Sequence, residues 1–393
     1  MDSSSTLSIV SLDKNRIVAR LDIIQIVAVL YCVVMDSSSS DSDDSDLQVL
    51  AQLSDWDDDE GDCGEIAFVE LSKSFLRTDF MASLSDAEFT FRFRMNKESV
   101  ESLLNEIMPF VKVKSRRNNG IPPLHQLLLA LRFYALGAML KSVAEFVGVS
   151  QSSACRIVAD ISTVLARLYS KYINLHARTT LDFYNIAQFP RVCGVIGCTH
   201  VPIQCPSSTM GEEYRNGKGY YSFHVQAVCD ADLKLLNVVS QWPGSAHEST
   251  IFDNSVLRAQ CDDGVLGNCW LLGDNAYPNR PYLLTPVYNP STAQEVRYNE
   301  AHIQTRRAIA RAFAVWKRRF PVISLTMRLS LDNIQAVIIA TAVLYNICIN
   351  HNIEDVPPEV ELPDENEIAA TAENIQSSEN DLRNRQHLIA NFF

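Results

Sequence analysis

The sequence predicts an α/β protein with an all-helical segment ahead of its sheet. Three observations predict it. Between about 90 and 185, apolar residues recur at helical spacing, with cap and terminator residues between the runs. From about 190, RVCGVIGCTHVPI, YYSFHVQAVCD and LKLLNVVSQW read as three strands, the last two joined by a turn at Asp230-Ala231-Asp232. A crossing helix, a fourth strand and two long helices then close the chain.

The ends differ from the body. The chain has 393 residues and a net charge of -13, but residues 35–62 hold eleven acids and no Lys or Arg, and residues 354–393 hold ten acids and two Arg. Residues 63–353 hold 29 Lys and Arg against 23 acids. A mildly basic body between acidic tails leaves nucleic-acid binding open. The tails read as solvated and disordered. At the N-terminus, IVAVLYCVVM follows Lys14, Arg16 and Arg20 in the outline of a signal peptide, but Asp22 and Gln25 break the run. Ten apolar residues are too few to span a bilayer. MDSSS at Met1 returns as MDSSSS at Met35, so Met35 is the expected natural start. The ten cysteines form no CxxC pair and no zinc spacing, which points to buried thiols in a reducing, intracellular setting.

In the helical segment, Val100, Leu103, Leu104 and Ile107 share one helix face, with Asn96 as N-cap and Pro109 as stop. Pro123 opens the helix of LHQLLLALRFYALGAML. Next, Ser142 and Glu145 read as a capping box and Gly148 as a terminator. Ser150 then caps a helix that turns Cys155, Val158, Ile161 and Leu165 inward. This is helix-turn-helix spacing, with Gln151, Ser152, Ser153 and Arg156 placed to face a major groove. A hairpin that only packs explains it equally, because Lys141 and Arg156 are the charges it offers.

In the second half, WPGSAHESTIF reads as a turn and helix, and CWLLGDNAY as a fourth strand ending in Asp274. YNPSTAQEVRYNEAHIQ reads as a polar loop, TRRAIARAFAVWKRRF as a basic amphipathic helix and SLDNIQAVIIATAVLYNICIN as a buried helix. That order is the order of an RNase-H-like fold. Nucleic-acid chemistry on such a fold needs carboxylates from the first strand, the fourth strand end and the late helix, because two Mg²⁺ must clamp an in-line phosphoryl displacement.

These motifs, in this order and over about 90 to 350, resemble the PIF/Harbinger DDE transposases and the nucleases derived from them. While composition gives a disordered acidic region at 1–85 and an acidic tail at 354–393, the resemblance implies an RNase-H-like (DDE transposase/integrase) core at 186–353 and a helical, helix-turn-helix-like domain at 86–185. It implies divalent-metal-dependent (Mg²⁺ or Mn²⁺) DNA cleavage in the nucleus, with some protein in the cytoplasm, beside a Myb/SANT-like DNA-binding partner. No membrane and no small-molecule substrate are implied. The family's first acid falls on Gly197, its second on Asp274 and its third on Ala310; an additional acid near the metal falls on Glu248. Asp274 is therefore the expected catalytic residue, and Glu248 with Asp274 the expected metal ligands, of a weakened or lost site. Lys141, Arg156, Arg215, Lys218, Arg306, Arg307, Arg311, Lys317, Arg318 and Arg319 are candidates to track phosphates, against a plain solvated helix face. His200 and His247 read as loop-orienting residues. Three functions stay open: an impaired nuclease, an active one with Asp230 or Asp232 as substitute acid, and a non-catalytic DNA-binding or scaffold protein.

Overall fold

Cap chemistry sets the helical boundaries in the computed structural model, which describes residues 78–112, 120–137, 140–175, 180–206, 211–361 and 379–393. The expectations for the acidic N-terminal run and for Met35 lie outside them. Asn96 Oδ1 accepts the Ser99 N–H at 2.9 Å and starts α3 (Lys97–Ile107), after α1 (Phe80–Ser83) and α2 (Asp86–Phe93). Pro109 tightens the exit into one 3-10 turn. Pro123 opens α4 (Pro123–Leu136) as predicted. The next helix, α5 (Leu140–Val147), begins earlier than expected, so Ser142 lies inside it and not at its N-cap. Gly148 ends it with φ at +73°, a conformation open to glycine at little cost. Ser150 caps α6 (Gln151–Ala166), accepting from Ser153 N. Its inward stripe is Ala154, Ile157, Val158, Ile161 and Leu165, while Cys155 is only half-buried. Short helices α7 (Tyr169–Tyr172) and α8 (Thr180–Ala187) lead to the sheet.

The sheet is built from β1 (Val192–Pro202), β2 (Ser222–Cys229), β3 (Leu235–Pro243), β4 (Trp270–Leu272) and β5 (Leu283–Leu284), in the order β3-β2-β1-β4-β5. The first three strands pair antiparallel, and β4 and β5 add in parallel. Helices α9 (Glu248–Asp253) and α10 (Val256–Asp262) make the crossover that a parallel strand requires. This mixed sheet fits an RNase-H-like core.

Strand parity sorts the core into two layers. Val195, Val225 and Ala227 join a layer with the helical segment, α11 (Ala293–Arg319) and α12 (Leu331–Asn350). Ile196, Val228 and Leu271 face the other way, onto Phe252, Leu257 and Tyr277. Helix α12 is long and apolar enough to cross a membrane, but 67% of its apolar window is buried between α6 and β3.

Asn346 on α12 ties that helix to β3 and α7. Its Oδ1 accepts Leu235 N at 2.9 Å, and its Nδ2 donates to Leu235 O and Tyr172 O. β3 is an edge strand, so Asn346 answers backbone groups that no neighbouring strand can reach. Asn346→Ala would leave both Leu235 groups unpaired in the core. A loss of about 2–4 kcal/mol is expected in urea unfolding, with an unchanged m-value.

Two stretches differ from expectation. The stretch read as a polar loop is the start of α11, opened by a reciprocal capping box of Thr292 and Glu295. The acidic tail is not wholly solvated: Glu359 pairs with Arg132 through two hydrogen bonds. Helix α13 (Glu379–Phe392) buries Leu388 and Ile389 and packs on α11. Arg385 of α13 donates to Thr285 O and Pro286 O at 3.1 and 3.0 Å.

Candidate functional site

Three elements converge where β4 ends beside the central strand β1. β1 and β4 run parallel with Val195 opposite Leu272, which puts Gly197 level with Asp274 just past the end of β4. α11 crosses both. A Cβ on Gly197 would meet Ile309 Cγ2 at 3.2 Å and Phe313 Cε2 at 3.8 Å. One turn earlier on the helix, Arg306 Nη1 donates to Asp274 Oδ2 at 2.9 Å. Ala310 follows Arg306 by one turn, half-buried on the same helix face. Gly197 thus lies against the Ile309 turn of the helix whose Arg306 holds Asp274, and Ala310 is the residue after Ile309.

The donor set at these positions does not fit a pair of Mg²⁺ ions. Gly197 and Ala310 carry no side-chain oxygen. Asp274 is already occupied: Oδ1 accepts the Ala276 N–H at 3.0 Å and Oδ2 takes the Arg306 guanidinium. A single fixed cation stands where the family's metals would bring several charges, and one carboxylate cannot fill two octahedral shells. Metal ions supply phosphoryl-transfer sites with charge neutralisation and an activated nucleophile, and of these three positions Asp274 alone offers a carboxylate.

Glu248, the expected additional acid, opens α9 on the other side of the sheet edge. Burial, and next the charge of Asp274, push its carboxyl up to about 8. Its Oε2 is buried with no hydrogen-bond partner. Cys198 lies nearby, its Sγ 3.3 Å from Tyr277 Oη, and burial holds its thiol well above the usual range. His247 caps α9, its Nδ1 accepting Ser249 N at 3.2 Å, which is the loop-orienting role expected for it. His200 Nδ1 lies 3.0 Å from Ser222 Oγ, and its ring stacks on His224 with centroids 4.2 Å apart. Burial, with His224, Lys317 and Lys218 around it, lowers His200 to about 3. Asp230 accepts Lys234 N at 2.8 Å and so closes the β2–β3 turn.

The candidate phosphate-tracking bases divide by burial. Lys141 and Arg156 are exposed on α5 and α6. Arg215 is exposed 3.8 Å from Glu212, and Lys218 is exposed in the same loop. Arg307 and Arg311 stand one turn apart on the solvent face of α11. The other helix bases do not share that face freely. Lys317 and Arg319 are buried, Arg306 is committed to Asp274, and Arg318 pairs with Asp355. The run of bases at the end of α11 misled the sequence reading because its last turn tucks under the returning chain at 353–355.

Comparison with known proteins gives a consistent result. The DDE superfamily endonuclease family matches residues 196–346. A Mus musculus protein named "Putative nuclease HARBI1" is 33% identical over 266 residues, 64% of this chain and 76% of its own length. The Homo sapiens protein of that name is 32% identical over 249 residues, 61% of this chain and 71% of its own. An Arabidopsis thaliana protein named "Protein ALP1-like" is 25% identical over 253 residues, 58% of this chain and 62% of its own. No solved structure matches the chain significantly.

Proposed function

This chain belongs to the Harbinger-transposase-derived nuclease-like family, and from that premise we propose that it is a DNA-associated protein whose two-metal cleavage centre has been lost. The observation that carries the reading is the pairing of Asp274 with Arg306 beside Gly197 and Ala310. With one carboxylate left at the three principal acid positions, and that one paired with a guanidinium, the site resembles a quiet ion pair more than a metal clamp. The substitute-acid reading finds little support, because Asp230 is spent on its own turn.

What remains for nucleic acid is surface charge. Arg307 and Arg311 form the exposed pair on α11, with Lys141, Arg156, Arg215 and Lys218 elsewhere on the surface. Such contacts track phosphate without reading sequence. A Myb/SANT-like partner would supply the sequence reading, in the nucleus, as the family resemblance implies.

The test pairs two measurements on the full chain. Supercoiled plasmid incubated with Mg²⁺ or Mn²⁺ should show no nicking above that of Asp274→Ala. Metal-dependent nicking that Asp274→Ala abolishes overturns the reading. Duplex DNA binding should weaken with salt, and Arg307→Ala with Arg311→Ala should lower the slope of log K against log[salt] by about 2. A slope unchanged by the pair removes α11 from the DNA surface.

A further inference from the structure

The sheet face turned away from α11 holds a second group of ligand atoms. Cys198 on β1, His224 on β2 and Glu248 on α9 each offer one donor atom, and the three lie within 4.8 Å of one another. Strand geometry puts them there. Cys198 follows Gly197, so it points to the opposite face; His224 pairs across from His200, two residues on from Cys198, and shares that face. From this convergence we infer that Cys198, His224 and Glu248 bind a single zinc-class transition-metal ion, at a site that takes Glu248 from the family's acid positions and does not use Asp274.

The donor types select the ion. A thiolate, an imidazole and a carboxylate suit zinc and its neighbours, whereas Mg²⁺ wants oxygen alone. Three protein ligands leave a fourth tetrahedral position for water. Tetrahedral zinc holds its ligand atoms roughly 3.3–3.8 Å apart, given metal–ligand lengths of about 2.0–2.3 Å, so closure needs only about 1 Å of side-chain movement.

The surroundings are those of a ligand set. His224 Nδ1 sits 2.7 Å from Ala246 O. A carbonyl only accepts, so Nδ1 carries the proton and Nε2 keeps its lone pair. Metal-binding histidines are oriented in this way. Tyr277 Oη, 3.3 Å from Cys198 Sγ, donates at 3.4 Å to Gln226 Oε1 and can turn that proton to a metal-bound thiolate. Glu248 Oε2 is buried without a partner, a rare state that a cation would answer. In charge, one thiolate and one carboxylate balance one divalent ion. None of this was readable as spacing, because the ligands come from three separate elements.

The experiment loads the metal-free full chain with Zn²⁺, measured by elemental analysis, and with Co²⁺, read by absorption. One equivalent should bind, and the Co²⁺ form should show a thiolate-to-metal charge-transfer band with ligand-field bands of tetrahedral strength. Cys198→Ser should lose the charge-transfer band, and Glu248→Gln should weaken Co²⁺ by at least about 10-fold. Near-UV circular dichroism of the metal-free variants checks that they are folded. Asp274→Asn should keep the full equivalent and the band, which separates this site from the family's acid position whatever the outcome of the nicking assay. Failure of the wild-type chain to bind either ion overturns the inference. So does a charge-transfer band that survives Cys198→Ser and vanishes with the exposed Cys205→Ser, or binding lost only in Asp274→Asn.

Discussion

The double variant Gly197→Asp with Ala310→Glu is expected to gain Mg²⁺-dependent nicking of supercoiled plasmid, on the order of 100-fold above the wild-type chain, because each restored charge-stabilising group in such sites carries factors of that size. The geometry supports it. Gly197 is level with Asp274 on the parallel pair β1 and β4, and Ala310 lies one helical turn past the residue that already touches Asp274. New carboxylates at these positions would surround Asp274 with two further oxygen donors. The substitutions are not free. An Asp Cβ at 197 would stand 3.2–3.3 Å from the Ile309 branches, so Ile309 must shift a few tenths of an ångström, and a stability loss of about 1–3 kcal/mol is expected. Arg306 would still compete with the metal for Asp274. A further Arg306→Ala change should therefore strengthen Mg²⁺ binding in the double variant while doing nothing for catalysis in the wild-type background. Calorimetric titration with Mg²⁺ separates binding from cleavage. A folded double variant that binds no Mg²⁺ would mean that the loss extends beyond two side chains.

Much of this arrangement was legible in the sequence where local chemistry is decisive. Asn96, Ser150 and Gly148 act as read, and β1 runs through VIGCTH as the apolar run suggests. The start of α11 was hidden because its buried face is polar: Tyr298, His302 and Thr305 lie inward and hydrogen-bond Thr285 O, Leu284 O and Ala301 O. Apolar periodicity cannot find such a face. The capping box of Thr292 and Glu295 could have. The tail escaped for a related reason. Its acids looked like excess charge, yet Asp355 and Glu359 are the counter-ions of Arg318 and Arg132, partners distant in sequence. Gly197 itself reads as an ordinary turn residue by composition. The resemblance marks it as the family's first acid position, and the structure adds what a sequence does not measure, its place level with Asp274 and against Ile309.

Arg319→Ala is expected to cost about 3–5 kcal/mol of stability, although a sequence reading groups Arg319 with the DNA-facing bases. Arg319 closes α11 from inside. Its Nη1 donates to Arg94 O at 3.2 Å, and its Nη2 to Ile353 O at 2.9 Å and Glu354 O at 3.1 Å. Arg94 is itself fully buried, sits at φ 65° as the C-cap of α2, and donates to Pro357 O at 2.7 Å. The two guanidiniums thus tie α2, α11 and the returning strand of tail into one polar knot, with Asp355 3.8 Å from Arg319 as counter-ion. Truncating Arg319 removes the donors to the carbonyls of Arg94, Ile353 and Glu354, while Asp355 keeps Arg318. Lysine would not replace it, since one ammonium cannot span the same carbonyls with the planar fork. By contrast, Arg307→Ala and Arg311→Ala remove exposed side chains and should change stability by less than about 0.5 kcal/mol. Thermal unfolding and DNA binding measured on the same three variants should therefore fall into opposite columns: Arg319→Ala unstable, Arg307→Ala and Arg311→Ala stable but weaker on DNA. An Arg319→Ala variant with wild-type stability and reduced DNA affinity would place this residue on the surface after all.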